Sequence, residues 1–494
     1  MALPLTPIWF IALPLLLAFL APLWARLRLL LPLLFGAQVV LLALAAALVP
    51  AVRQAPFLET IVIAPPLGIH LHLDAVALLL VTLFHGAAAL LALFVWLDEG
   101  AAHLRGPRPF VLLLLLVAGC DGMVLTGDLF NLYVFLEIAG VSAYALSALH
   151  RDRAGLEAGL KYVIIGSVAA VFFLFAVVLI YLQTGQLNIA AVAADFAAIP
   201  APMQVLIGLL LLVGLGIKAE LFPFNFWVPD IYQGSDPAVA SLFSGVLVKA
   251  FLFVLFHLAF LLLADPRVAQ VWLMGLGAAT LLVAETVALR QPDLRRMLAY
   301  SSLGQIGLIA LALGFASEAT TAGALLHMVN HTLAKLLLFL VAGLLMRRAA
   351  SARLEALTGL GRQMPLAAGL FVLASLSVLG LPPLAGFASK LWILTGFAEA
   401  QVFWPIALIL FGALLEAGYY FRWVKALYAT GDAPVARGPA PTPARSAYLP
   451  LLLIAALLLL LGAAPFLLEA DLVGAAQALL DRAATIEGVL GAQP

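Results

Sequence analysis

Cysteine is nearly absent from this chain: Cys120 stands alone among 494 residues. That excludes an internal disulfide and any iron–sulfur cluster held by cysteines. Charge is scarce as well. Asp, Glu, Lys and Arg make up 10% of the residues, against about 25% in soluble globular proteins. The 25 acidic and 25 basic groups cancel, so net charge points to no partner, and no nucleic acid is expected. The alternation of apolar and polar residues that a membrane β-barrel needs is missing. The first residues lack a basic n-region and a small-residue cleavage site. They are expected to form a spanning helix rather than a removable signal.

What abounds is apolar surface. Hydrophobic residues make up 65% of the chain, in runs such as LPLTPIWFIALPLLLAFLAPLW, each long enough to cross a bilayer. The expected fold is an all-α membrane protein of about fourteen transmembrane helices, centred near residues 14, 39, 84, 116, 139, 172, 212, 250, 279, 307, 334, 378, 412 and 457. Arginine gives an independent check. If both termini are periplasmic, sixteen of nineteen arginines, Arg151 and Arg437 included, fall in cytoplasmic loops, leaving Arg53, Arg267 and Arg482 outside. Such a bias obeys the positive-inside rule and suits a multi-pass protein of a bacterial inner membrane. Residues 431–447, GDAPVARGPAPTPARSA, read as a flexible connection. The tail after residue 468 reads as a short interfacial helix.

Lysine is used differently from arginine. Of six lysines, Lys161, Lys218, Lys249, Lys335 and Lys390 sit within apolar segments. Each centrally placed lysine costs about 2.5–3.5 kcal/mol to insert, and such residues mark ion or proton pathways. Arginine keeps its proton in a protein, whereas a buried lysine can release one near neutral pH. Pairing or snorkelling explains one lysine more readily than all five. The carboxylates inside spans are Glu137, Glu220, Glu285 and Glu416. Buried charges need partners, and Glu137 with Lys218 is the expected pair. His327, His331 and Lys335 recur every fourth residue in LLHMVNHTLAKLLLFLVAG, one face of a helix. Histidine titrates near pH 6.5, so this stripe reads as a row of proton stations. Polar glue between helices is the competing explanation. A zinc site is disfavoured, because the HExxH glutamate is missing.

Two spans are expected to break. GIKAELFPFNFWVPD holds Pro223 and Pro229, and SVLGLPPLAGFASKLW holds Pro382 and Pro383. At membrane depth a break persists only when buried in protein or lining a wet cavity. Paired breaks suggest an internal repeat. GVLVKAFLFVLF around Lys249 also resembles GALLEAGYYFRWV around Glu416. The expected organisation is a three-helix segment (1–105), two inverted five-helix repeats (106–265 and 266–430), and a linker with a last helix and tail (431–494).

TGDLFNLYVFLEI, KAELFPFNFWVPD, PDLRRMLAYSSLGQIG, LLHMVNHTLAKLLLFLVAG and GLPPLAGFASKLW resemble the antiporter-like subunits. Mrp-type sodium/proton antiporters, respiratory complex I and membrane-bound hydrogenases share these. The first block is most similar to the D-type subunits of Mrp antiporters and their hydrogenase counterparts. The resemblance implies fourteen helices, inverted repeats and a mid-membrane proton path. Glu137, Lys218, Lys249, His327, His331, Lys335 and Lys390 match its stations, and Lys161 matches a lysine early in the sixth helix. Glu220, Glu285 and Glu416 would be further stations or counter-ions. Two positions depart from the family pattern: Asn225 replaces a usual histidine, and Glu416 stands where a small or hydroxyl residue is usual. The implied partners are other membrane subunits, the lipid bilayer, protons and, as an open alternative, Na+. No cofactor, metal, redox or hydrolytic site is expected. The leading function is a proton-translocating subunit of a multisubunit cation/proton antiporter. The alternatives are the proton-pumping subunit of a redox-driven complex, a stand-alone solute carrier and an inert scaffold.

Overall fold

The computed structural model describes residues 5–63, 68–150, 152–263, 266–430 and 443–491. Arg151, Arg437 and most of the expected 431–447 connection lie outside the described residues. Nearly everything else is helix, and the chain is a multi-pass integral membrane protein. Among the described residues, twelve helices are long and apolar enough to cross a membrane. There are thirteen if the bent pair Leu354–Arg362 and Pro365–Leu379 is one span. The expected fourteen are not reached, although each expected centre falls inside a helix. One shortfall is Trp9–Phe19, which stops after 11 residues and resumes as Ala21–Arg26. The other is the second broken segment, two pieces of 15 residues each. Neither piece reaches the roughly 20 residues that span a hydrocarbon core.

Several of the few acidic groups start helices. Asp74, Asp128, Asp152 and Asp293 each accept a backbone N–H of the first turn. Ser317 and Thr320 form a capping box. These caps satisfy donors that have no intrahelical partner. Among the described residues, one pair of strands interrupts the helices. Phe57–Ile61 pairs antiparallel with Ile69–Leu73, Phe57 opposite Leu73. The alternation in IHLHL is the strand signal that an all-α reading passes over.

Glu318–Ala349 forms the axis of the molecule. Its 32 residues would extend about 48 Å at 1.5 Å per residue. Its apolar 18-residue window is wholly buried. Leu294–Phe315, Pro365–Leu379, Ala385–Glu399 and Phe466–Leu480 pack around it. The last of these, with Arg482–Leu490, is the tail. Arg482 donates to the carbonyls of Leu261 (2.8 Å) and Ala193 (2.7 Å).

Both expected breaks are present. Ala201–Lys218 stops at the lysine, and the next helix is Val228–Gly234. Pro365–Leu379 stops before Pro382 and Pro383, and Ala385–Glu399 follows. Pro223 lies within the first break. Pro229 does not: it sits in the first turn of Val228–Gly234, where the missing N–H costs nothing and the fixed φ suits a helix start. Inside the break, the Phe222 N–H donates to Thr280 Oγ1 at 2.8 Å, which satisfies a backbone donor that lipid could not.

Candidate functional site

Three of the sequence-predicted ionisable residues, His327, His331 and Lys335, lie on the axial helix, and most of the others fall in clusters on either side of them. At one end Lys218, the last residue of Ala201–Lys218, reaches Leu129–Ser147. Its Nζ lies 3.6 Å from Glu137 Oε1, an ion pair longer than a hydrogen bond. Nζ also donates to the Tyr144 hydroxyl at 2.6 Å. It faces the Tyr144 and Phe251 rings at 5.2 and 5.6 Å from their centroids, within cation–π range. Gly166 makes room for that tyrosine, since a Cβ there would lie 2.0 Å from its hydroxyl. Two residues past Lys218, the Glu220 carboxylate accepts from the Tyr232 hydroxyl at 2.9 Å.

Lys249 comes next, fully buried. Just before it, Phe243–Leu247 winds as a π-helix. Such a widened turn leaves carbonyls without their usual partners. Lys249 Nζ takes the Ser244 carbonyl and touches His331 Nδ1 on the axial helix. His331 Nε2 has no hydrogen-bond partner among the described residues. One turn on, Lys335 Nζ donates to Ser301 Oγ (2.7 Å), the Leu298 carbonyl (3.3 Å) and Tyr420 OH (3.4 Å). Among the described residues, no carboxylate pairs with Lys249 or Lys335 within 4.0 Å.

His327 lies one turn before His331. Its Nε2 meets Gln305 Oε1 at 3.0 Å, and its Nδ1 meets Ser389 Oγ at 2.9 Å. The Gln305 amide donates to Glu416 Oε1 at 3.0 Å and to Glu285 Oε1 at 3.4 Å. Glu416 Oε2 pairs with Lys390 Nζ at 2.9 Å, which also donates to the Leu379 carbonyl at 3.3 Å. Lys390 thus sits on the C-terminal end of Pro365–Leu379, where a helix favours a cation. Glu416 is therefore the counter-ion of Lys390.

Lys161 lies apart from this line. It is partly exposed and pairs with Glu157 and Asp230, both at 2.8 Å. Asp230 is shared with Arg296 at 2.6 Å. Lys161, expected within an apolar segment, stands four residues after Glu157 and joins a charged cluster with Glu157, Asp230 and Arg296. Asn225, inside the first break, is buried.

Sequence reading missed the neutral links: Tyr144, Tyr232, Tyr420, Ser244, Ser301, Ser389 and Gln305. It also passed over two clusters outside the line. In one, buried His85 meets Gln38 Oε1 through Nδ1 (2.7 Å) and Asp121 Oδ2 through Nε2 (3.2 Å). In the other, Asp236 Oδ2 faces His103 Nε2 at 2.9 Å and His150 Nε2 at 3.0 Å. Burial works against the Asp236 anion, yet hydrogen bonds from the two imidazoles hold its carboxyl well below the usual range. The same carboxylate raises the His150 imidazole above its ordinary value.

A bundle of membrane helices with lysines, histidines and glutamates in file through its centre defines an ion- or proton-conducting membrane protein. The particular family follows from comparison. Residues 126–416 match the model described as NADH:quinone oxidoreductase/Mrp antiporter, TM, and the chain belongs to that family. It is 38% identical to the N subunit of the NADH-quinone oxidoreductase of Desulforudis audaxviator over 77% of each chain. It is 33% identical to the D subunit of the Na(+)/H(+) antiporter of Alkalihalophilus pseudofirmus, over 62% of this chain and 64% of that one. Among solved structures it superposes on a chain of an archaeal membrane-bound sulfane sulfur reductase with a TM-score of 0.91 at 32% identity (98% and 100% covered). It matches a chain of the Mrp complex of Dietzia sp. DQ12-45-1b with a TM-score of 0.89 at 26% identity (99% and 100% covered). The chain is thus a proton-translocating membrane subunit of the antiporter-like and complex I family, whose members work beside other membrane subunits.

Proposed function

We propose that the chain is the D-type proton carrier of a multisubunit monovalent cation/proton antiporter of the Mrp kind in a bacterial inner membrane. The observation that carries this reading is the row of buried polar clusters between Glu137 and Lys390, centred on Lys218, on Lys249 with His331, on Lys335, and on His327 with Glu416 and Lys390. Full-length overlap with the Mrp complex chain supports the antiporter assignment. A proton arriving at Glu137 neutralises the carboxylate and opens its ion pair, and the Lys218 ammonium, no longer held by a charge, releases its own proton. From the Lys249 ammonium it moves to His331 Nδ1, and the proton on Nε2 is then free to leave. Lys335 and its Ser301–Tyr420 hydroxyls take the next place. Gln305 and His327 tie the far end to Glu416 and Lys390. Residues 106–265 and 266–430 are read as inverted repeats, since each holds one broken helix with a lysine at the break. The arginine bias supports periplasmic termini.

A second reading is favoured by the 38% identity to a NADH-quinone oxidoreductase subunit: the same file would then serve a redox-driven pump. Mild-detergent purification of the native complex, with mass spectrometry of its subunits and metal and flavin analysis, separates the two. Small hydrophobic partners without redox centres support the antiporter; iron–sulfur or flavin subunits overturn it in favour of the pump.

A further inference from the structure

We propose that His103, His150 and Asp236 form a binding site for one divalent transition-metal ion, with zinc the ion their chemistry suits best. The site does not depend on what the chain translocates. Three distant segments supply it: the turn Glu99–Leu104, the residues just after helix Leu129–Ser147, and the start of span Pro237–Leu262. Both imidazole Nε2 atoms point at the same carboxylate oxygen, at 2.9 and 3.0 Å. All three potential ligand atoms lie within 4.8 Å of one another. Tetrahedral zinc with bonds of about 2.05 Å holds neighbouring ligands about 3.3 Å apart, so the two nitrogen–oxygen distances need to open by only a few tenths of an ångström.

The rest of the site fits this use. Asp236 Oδ1 is occupied by the Ala238 N–H at 2.8 Å, which fixes the carboxylate and leaves Oδ2 to the imidazoles. Such an outer hydrogen bond is how proteins orient a ligating carboxylate. The two imidazoles on the same carboxylate oxygen set three potential ligand atoms around one point. The His103 and His150 side chains remain 35% and 38% exposed, so an ion can enter and water can fill a fourth position. Arg347, on the wall of the same cleft, is already paired with Asp98. Two imidazoles and a carboxylate suit zinc above the hard cations, which prefer oxygen-only shells. A bound ion would fasten the end of the Glu137 helix to the start of the Lys249 span.

The test uses the full-length chain purified through a tag without histidines, with Co2+ as the probe. The proposal expects a four-coordinate visible Co2+ spectrum at one equivalent, abolished by one equivalent of Zn2+. His103→Gln and His150→Gln should each weaken Zn2+ binding at least about tenfold, since even outer-shell losses cost that much. Asp236→Asn keeps a good helix cap and should weaken binding similarly, with the wild-type gel-filtration profile as the folding check. The absence of Co2+ and Zn2+ binding at micromolar concentration, or unchanged affinity in folded variants, would overturn the site.

Discussion

Lys218 and Lys390 each face a carboxylate, at 3.6 and 2.9 Å, whereas Lys249 and Lys335 meet only neutral groups. Among the described residues, close ion pairs are therefore confined to the two ends of the file. Removing one member of a buried pair typically costs about 3–5 kcal/mol, because the other charge is stranded. Glu416→Gln should lower stability by about that amount, while the double change Lys390→Met with Glu416→Leu should recover most of it and still fail to transport. Thermal unfolding and proton flux, measured on both variants, check this. At the other end, Lys218→Ala or Glu137→Ala should abolish flux while the complex still assembles. Retained flux in assembled mutant complexes would remove Lys218 and Glu137 from the path. The lysines could be found in the sequence because a charge in an apolar run is expensive and stands out. The tyrosines, serines and Gln305 could not, since neutral polar groups are cheap in helices and their roles arise only when distant helices meet.

Among elements, the π-helical turn Phe243–Leu247 is the piece that no apolar pattern announces. It adds a residue to the turn that aims Lys249 at His331. Deleting Val246 should restore α-helical winding and turn the two sides of the bulge about 100° relative to each other. Lys249 and Ser244 would part, and proton flux should fall to background although the span still inserts. A mutant that keeps flux would make the turn incidental. The broken spans were legible from Pro223, Pro382 and Pro383, because proline leaves few alternatives. The shorter strand hairpin was not, as the apolar runs on either side dominate the reading. In that hairpin, burial lowers the His70 pKa to about 4, and its Nδ1 meets the Asn188 amide at 3.3 Å. The folded state thus resists a proton that the unfolded state accepts near pH 6.5. The hairpin's stability should be constant above that pH and fall as pH drops from about 6.5 toward 4. Hydrogen exchange of the Phe57–Ile61 amides at pH 7 and 5 measures the change; equal protection would contradict it.

At the scale of the molecule, one helix with a wholly buried apolar stretch, Glu318–Ala349, collects links from both halves: Lys249 through His331, and Ser389 and Gln305 through His327. A file built this way is only as good as its junction at Lys249 and His331. The sequence shows the stripe on one helix face, but only the folded chain shows which lysine meets it. Proton flux should therefore be compared in vesicles containing the purified native complex and its His331→Leu variant, with assembly verified by subunit composition. A drop of at least about tenfold, about 1.4 kcal/mol of barrier, with the complex intact is the expected result. Wild-type flux through an intact His331→Leu complex would mean that protons do not cross the membrane along this file.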